Sequence, residues 1–234
     1  MAQQISAFFD KFSKDYDTSA FKQSVGLEYI SKLETDFILQ NCPVKKGDRV
    51  LDIGIGTGRN ADILLKKEAI IEGIDISEGM MEEAKRKFKG GRVNFTVADA
   101  GKKIPFKSDS FDYVICMRVL KYIPTWKKTI EEVSRVLKKD GIFILEIQNK
   151  SSIAYFGLKS ANYFLFRIKE VKNCLRRLDF RIIKSKGGTR LPFRLYKNIK
   201  NKLLLILTKS FEWVISKILP SEYLSRNVLL MCKK

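Results

Sequence analysis

The strongest constraint on the fold is an alternation of short apolar runs with segments of helical periodicity. Residues 50–53 form an apolar run that a glycine-rich turn follows, as expected of a buried parallel strand. The same reading predicts further strands at 70–75, 93–97, 111–116, 141–147, 180–185 and 227–232, and helices at 21–40, 78–88, 127–138 and 170–178. Strands that alternate with helices are typical of βαβ units, so an α/β fold with a parallel sheet is predicted.

Composition limits the possible chemistry. A chain of 234 residues with 45% hydrophobic residues can bury the core of one globular domain. It contains no histidine, which removes the commonest general base and the commonest metal ligand. The four cysteines are widely spaced, so we expect core positions and no metal site. The N-terminus lacks the order of a secretory signal, which predicts a cytoplasmic protein.

Positive charge is concentrated in the last third of the chain. Residues 1–150 contain 26 Lys and Arg against 22 Asp and Glu, whereas residues 151–234 contain 19 against 4. A basic surface of this kind suits an anionic partner such as nucleic acid, acidic lipid headgroups or a phosphorylated substrate. It is equally compatible with a charged surface that only confers solubility.

The turn after the first strand is the main candidate binding site. Gly54, Gly56 and Gly58 allow the backbone to bend tightly and to approach a ligand beside a helix N-terminus. No glycine follows at the later position of the dinucleotide pattern, so that pattern fits poorly. Asp75 ends the second strand, where a carboxylate can accept hydrogen bonds from ribose hydroxyls.

Four segments together point to one family. The string VLDIGIGTG at 50–58 resembles the first motif of class I S-adenosylmethionine-dependent methyltransferases, and residues 73–80, 98–100 and 104–114 resemble the motifs that follow. The resemblance covers roughly residues 45–148 in unbroken order. It implies a Rossmann-like α/β fold: a seven-stranded, mostly parallel sheet with helices on both faces and the last strand antiparallel.

The resemblance also implies S-adenosyl-L-methionine as the cofactor. In the family the second-motif acid binds ribose, the methionine lies against adenine, and the third-motif aspartate accepts from the adenine amino group. Residues 8–17 resemble a gating segment that lies over the cofactor. The implied cofactor-binding residues are Asp52, Gly54, Gly56, Gly58, Asp75, Ile76, Met80, Asp99, Ala100, Cys116 and Tyr16. Structural roles remain open for some of them, since a methionine also fills cores and an aspartate also caps helices.

No catalytic group is evident from the sequence. Positioning alone can supply about 7 kcal/mol or more of the barrier reduction, so a base is optional. Tyr122 stands where many relatives have a histidine, and it is as readily a packed aromatic residue. Tyr16, Tyr122 and Glu146 are the candidates; without histidine, a carboxylate, a tyrosine, a lysine or water must take any proton.

The residues that bind the acceptor are expected to lie largely after the fifth strand in the sequence. We divide residues 1–234, as one domain, into N-terminal helices with a cofactor lid at 1–44, a cofactor-binding core at 45–150 and an acceptor-side region at 151–234. The last region holds a basic, apolar insertion at 190–219, which is too short and too charged for a transmembrane helix. It can lie on an anionic membrane or over an apolar acceptor, or pack on the sheet or a second subunit. Aromatic residues at 155–156 and 163–166 line an acceptor pocket or fill core.

The sequence thus favours methyl transfer to a small-molecule or lipid-like acceptor. An RNA-modifying methyltransferase is the first alternative: the C-terminal charge supports it, and the absence of the Asn/Asp-Pro-Pro-aromatic and Pro-Cys motifs of base methyltransferases opposes it. A cofactor-binding scaffold without turnover is the second alternative. A nicotinamide oxidoreductase is disfavoured because the glycine spacing does not fit.

Overall fold

The computed structural model describes residues 2–155, 163–218 and 222–234. The strands are β1 Arg49–Ile53, β2 Ile70–Asp75, β3 Val93–Val97, β4 Phe111–Cys116, β5 Leu137–Gln148, β6 Arg181–Gly187 and β7 Asn227–Lys233. The α-helices are α1 Ala2–Phe12, α2 Val25–Asn41, α3 Arg59–Leu65, α4 Glu78–Lys87, α5 Trp126–Val136, α6 Ile168–Arg177, α7 Phe193–Asn198 and α8 Lys202–Ile218. A π-helical turn spans Thr18–Lys22, and 3-10 turns span Leu120–Tyr122, Ile153–Tyr155 and Glu222–Leu224.

The strands form one seven-stranded sheet in the order β3-β2-β1-β4-β5-β7-β6. β1 to β5 pair in parallel, and β7 is antiparallel to both β5 and β6. The sequence-based prediction of a mostly parallel sheet with an antiparallel last strand is therefore confirmed. The strand order reverses between β1 and β4, and in such sheets ligands bind beyond the carboxyl ends of the strands at this point.

Alternate residues along the strands pack into two hydrophobic cores, one on each face of the sheet. Leu51 of β1 packs in a cluster that includes helices α5 and α6, while its neighbour Val50 packs in a cluster with α2 and α3. This is the two-residue period of a strand covered on both faces. A fully buried side chain such as Phe37 on one face or Phe143 on the other contributes about 1.5–3 kcal/mol by leaving water.

Two of the helix boundaries that differ from the sequence-based prediction have a clear structural cause. The helix predicted at 21–40 begins only at Val25, because Ser24 is extended and its hydroxyl caps the helix by accepting from the Leu27 amide at 3.2 Å. Phe21 lies instead in the preceding π-helical turn. The helix predicted at 127–138 ends at Val136, since Leu137 is extended and already begins β5.

Candidate cofactor and acceptor site

The loop between β1 and α3 requires glycine for two separate reasons. Gly54, Gly56 and Gly58 have φ of 67°, 54° and 83°, in the left-handed region that other residues avoid. In addition, a Cβ on Gly54 would lie 2.1 Å from Cγ2 of Val119, so the backbone could not approach the segment after β4 this closely with any side chain there. A Cβ on Gly56 would meet nothing nearer than 4.0 Å, which leaves its backbone open to a ligand.

Asp75 at the end of β2 fixes the loop from the opposite side. Its carboxylate accepts hydrogen bonds from the Gly56 amide and the Ser77 amide, each at 2.9 Å. Burial raises the pKa of Asp75, and the amide hydrogen bonds oppose that rise. The strand end, the loop and the turn before α4 are thereby joined around one acidic group.

A cavity of about 950 Å³ opens at these strand ends, at the upper end of the usual size range for ligand pockets. It brings together eight of the eleven predicted cofactor residues: Gly54, Gly56, Asp75, Ile76, Met80, Asp99, Ala100 and Tyr16. The other three, Asp52, Gly58 and Cys116, are buried and are not among the cavity-lining residues. The carboxylate of Asp99 makes a local contact, since its Oδ1 accepts a hydrogen bond from the Gly101 amide at 2.9 Å.

Asp52 lies beneath the loop. Oδ1 accepts from Nδ2 of Asn60 at 3.4 Å, and within the described residues Oδ2 has no hydrogen-bond partner. Burial raises the pKa of this carboxyl to about 7. These contacts make Asp52 a support for the loop, and direct contact with the cofactor stays a prediction.

The N-terminal segment covers the cavity. Asp10 on α1 accepts from the Ser77 hydroxyl at 2.6 Å and from the Gly79 amide at 3.0 Å, which ties α1 to the first turn of α4. Asp17 accepts from the hydroxyl of Thr57 in the glycine loop and pairs with Lys87. The lid expected at 1–44 thus contacts both the loop after β1 and the turn after β2.

A buried ionic cluster that the sequence did not reveal stands beside the glycine loop. Glu34 of α2 pairs at 2.9 Å with both Arg59 and Arg118, and both guanidinium groups lie within 5 Å of the Phe21 ring centre. Burial alone would raise the pKa of Glu34, but the two guanidinium groups hold it below its usual value. The cluster has a net charge of +1 and both arginines line the cavity, so it favours an anionic ligand group.

The far end of the cavity is aromatic. Phe9, Tyr122, Tyr163 and Tyr155 follow one another in edge-to-face contacts with ring centres 5.3, 6.4 and 6.4 Å apart, and we call these four residues the aromatic wall. Nζ of Lys121 lies 5.1 Å from the Tyr122 ring centre and 5.3 Å from that of Tyr163. Burial lowers the pKa of Lys121 to about 8, so near neutral pH its amine is neutral for part of the time.

The three catalytic candidates from the sequence all line this cavity. Burial raises the pKa of Tyr16 and that of Tyr122, which makes both phenols poor bases near neutral pH. Glu146 is buried, and its Oε1 accepts from Gln148 at 3.2 Å and from Asn227 at 2.7 Å. Among the described residues, Oε2 of Glu146 and Oε1 of Gln148 are buried without a hydrogen-bond partner, and both residues line the cavity.

The aromatic residues predicted after β5 only partly take the two roles left open. Tyr155 and Tyr163 line the cavity and Phe166 is buried in the core, whereas Phe164 is exposed and does neither; Phe156 lies outside the described residues. The insertion expected at 190–219 contains α7 and α8, and its residue 219 also lies outside the described part. Within the described part of the chain, no group of three or more Cys, Asp or Glu side chains is placed to hold a metal ion.

Comparison with known proteins assigns the family. Residues 51–145 match the family model described as a methyltransferase domain. An uncharacterised protein of Methanocaldococcus jannaschii is 34% identical over 185 residues, which cover 76% of this chain and 82% of that protein. The structure of an S-adenosylmethionine-dependent methyltransferase from Mesorhizobium loti shares the fold with a TM-score of 0.66 at 16% identity, covering 86% of this chain and 97% of the other. The chain belongs to the class I S-adenosylmethionine-dependent methyltransferases, enzymes whose cofactor is S-adenosyl-L-methionine.

Among relatives with an assigned reaction, the demethylmenaquinone methyltransferase of Clavibacter sepedonicus is 36% identical over 143 residues. The match covers 61% of this chain and 57% of that relative. This chain therefore spans little more than half the length of that enzyme.

The cavity fits the family's cofactor. The open backbone at Gly56 and the acidic groups of Asp75 and Asp99 occur where an adenosine needs close approach and hydrogen-bond acceptors. Arg59 and Arg118 provide the positive charge that a carboxylate of an amino-acid moiety requires. All of these residues line one continuous space.

Replacing Asp75 with alanine should weaken binding of S-adenosylmethionine and of its demethylated product about 10–100-fold, the value of a hydrogen bond to a charged group. Calorimetric titration measures this, with NAD as a ligand that should not bind. Asp62→Ala, at an exposed position of α3, is the matched control and should leave the affinity unchanged. Binding of NAD alone by the unmodified protein would contradict the assignment of the site.

Asp52→Asn should change how stability depends on pH. Because the folded protein holds the Asp52 proton up to about pH 7 and the unfolded chain releases it near the ordinary value, stability falls as pH rises through this window. In the variant, the free energy of unfolding should fall less steeply with pH, by up to about 1.4 kcal/mol per pH unit. Urea unfolding of both proteins at pH 5 and pH 7 measures the difference, and parallel curves would show that Asp52 is ionised in the folded state.

Proposed function

We propose that this methyltransferase acts on a small, lipid-like acceptor that has an apolar ring or chain and a hydroxyl group. The observation that carries the proposal is that the aromatic wall lines the same cavity as Lys121, Glu146 and Gln148. Aromatic faces favour an apolar ligand, while the unpartnered oxygens of Glu146 and Gln148 require a hydrogen-bond donor. A quinol, which is an apolar ring with hydroxyl groups, meets both requirements, and a relative is named for methylating a menaquinone precursor.

The arrangement of residues along the cavity supports this proposal. The Gly54–Gly56 loop, Asp75 and Asp99 would hold the adenosine part of the cofactor, and Arg118 its carboxylate. S-adenosyl-L-methionine supplies an electrophilic methyl group on a sulfonium centre. The acceptor would bind against the aromatic wall of the same space, and alignment of the reacting groups would lower the barrier.

Two groups of the chain can assist the acceptor. The neutral amine of Lys121 can take a proton from the acceptor as its nucleophilic character develops, since its lowered pKa of about 8 permits both states near neutral pH. Glu146 orients the acceptor by receiving its hydroxyl hydrogen bond at Oε2. The lid formed by α1 contributes by excluding water from the space.

Turnover with defined acceptors tests the proposal. The purified protein is incubated with S-adenosylmethionine and a reduced, demethylated quinone with a short side chain, a simple phenol or a structured RNA, and formation of S-adenosylhomocysteine is followed. We expect turnover with the quinol, less with the phenol and none with RNA. Turnover with RNA alone and a steep loss of affinity with salt would favour the RNA-modifying alternative. Cofactor binding without turnover on any acceptor would favour the scaffold.

A further inference from the structure

Helix α8, Lys202–Ile218, turns its apolar side away from the protein. Leu203 is 68% exposed, Trp213 63% and Leu207 59%. With 100° between successive residues, the exposed apolar side chains cover about half of the helix circumference. We call this surface the α8 outer face; its main residues are Leu203, Ile206, Leu207, Phe211, Trp213 and Val214.

The opposite side of α8 faces the protein, where Leu205 packs against a small hydrophobic cluster beside two buried polar residues. Thr208 is 7% exposed and Glu212 8% exposed, although both are polar residues. Glu212 Oε1 accepts from the backbone amides of Arg190 at 2.7 Å and Leu191 at 3.1 Å. These bonds fix the rotation of the helix, because turning the apolar side inward would break them and expose the amides. The helix is therefore amphipathic, but its large apolar side chains face outward, whereas those of a helix that covers a core face inward.

The segment around the α8 outer face is cationic. Residues 190–217 include the basic residues Arg190, Arg194, Lys197, Lys200, Lys202, Lys209 and Lys217, whereas Glu212 is their only acidic residue and is turned inward. Arg194, Lys197, Lys200 and Lys202 are exposed just before the helix or at its start. The surface thus offers exposed apolar side chains together with uncompensated positive charge.

We infer that the α8 outer face docks on an anionic lipid bilayer, lying parallel to the membrane plane. A helix with one apolar face, lysines and a tryptophan inserts in this way into the boundary between headgroups and acyl chains. No helix of the described ranges has the length and hydropathy to cross a bilayer. A second copy of the chain fits less well, because pairing two such faces would bring two sets of these cations together.

Docking at α8 would also place the cavity near the lipid. Helix α7 directly precedes α8, and Phe193, Arg194 and Lys197 of α7 line the cavity. An apolar acceptor dissolved in the bilayer would then have a short path to the aromatic wall. This last step rests on the proposed function, whereas lipid binding itself does not and can be measured without turnover.

Vesicle flotation of the full chain tests the inference. Vesicles of phosphatidylcholine with and without phosphatidylglycerol are mixed with the unmodified protein, the double variant Leu207→Glu and Phe211→Glu, and the control Leu39→Glu on helix α2. We expect binding to the anionic vesicles that is at least about tenfold stronger than to phosphatidylcholine alone. The double variant should lose about tenfold or more of this binding, because two large apolar side chains no longer insert. The control should bind like the unmodified protein, and thermal unfolding and cofactor binding should be the same in all three.

Two results would overturn the inference. The first is equal flotation of the double variant and the unmodified protein. The second is no flotation of the unmodified protein. In that case light scattering tests whether a second copy covers the α8 outer face, because the unmodified protein would then be a dimer and the double variant a monomer. A failure of acceptor turnover combined with normal flotation would contradict the proposed function and leave the docking surface established.

Discussion

Replacement of Lys121 with glutamine should lower kcat about 10²–10⁴-fold, the usual contribution of a positioned general base. The reason is the environment of its amine, which lies against the rings of Tyr122 and Tyr163 in the part of the cavity that we propose for the acceptor. Burial there lowers its pKa to about 8. Near pH 7 about a tenth of the molecules would have the neutral amine, which is sufficient for a base.

The pH dependence separates a base from a group that only fills space. A base must be deprotonated before it acts, so kcat/KM of the unmodified protein should rise with pH and level off above about 8. In Lys121→Gln this rise should disappear while the affinity for S-adenosylmethionine is preserved. The measurement is the initial rate with the best acceptor between pH 6 and pH 9.5.

The control for Lys121 is Lys102→Gln. Lys102 also lines the cavity, but at an exposed position beside Asp99, so kcat should change by less than about threefold. Lys121→Arg serves as the second comparison, because it retains a cation and cannot give up its proton near neutral pH. If Lys121→Arg is as active as the unmodified protein, the residue acts through its charge and the proposed base is wrong.

The cofactor end of the site follows from the sequence because it is local. A strand end, three glycines and an acid at the next strand end are separated by short distances along the chain, and the parallel sheet brings them together through its register, Asp52 beside Gly73. Gly54, Asp75 and Asp99 lie on the cavity wall for this reason. Asp52 does not, since the pattern gives the position of a side chain along a strand and not whether it faces the cavity.

Other parts of the site do not follow from the sequence because they depend on distant contacts. The pair of Glu34 with Arg118 joins residues 84 positions apart, and neither residue belongs to a motif. Arg118 also has a φ of 63°, a conformation that no feature of the residue predicts. The sequence does not distinguish Lys121 from other lysines. Its lowered pKa results from burial, where the Leu120–Tyr122 turn packs against α1 and Tyr163.

Helix α8 shows the same limit for a surface. The sequence predicted a basic, apolar insertion in this region, and the structure forms a helix there. Periodicity alone would have turned the apolar side inward. The observed orientation depends on Glu212 and its bonds to two backbone amides some 20 residues earlier, which periodicity does not record.

Removal of the Glu34 carboxylate should destabilise the protein more than any other single change considered for this site. Glu34→Gln leaves the guanidinium groups of Arg59 and Arg118, which are 20% and 16% exposed, without their counter-ion, and we expect a loss of about 2–3 kcal/mol, below that for a fully buried pair. The free energy of unfolding, measured in urea at pH 7, gives the loss. A second change, Arg118→Gln in the same chain, should recover part of it, because one unpaired charge is removed.

The exposed pair on the same helix is the control for this loss. Asp36 of α2 pairs with Lys32 one turn away, and both side chains are exposed, so Asp36→Asn should cost less than about 0.5 kcal/mol. The two variants should also differ with pH. The guanidinium groups hold the pKa of Glu34 below its usual value, so its contribution is complete above that usual value and is lost as pH falls through the lowered one. The difference between the unmodified protein and Glu34→Gln should therefore narrow in acid. A loss no larger than that of Asp36→Asn would mean that the cluster binds an anionic ligand without stabilising the fold.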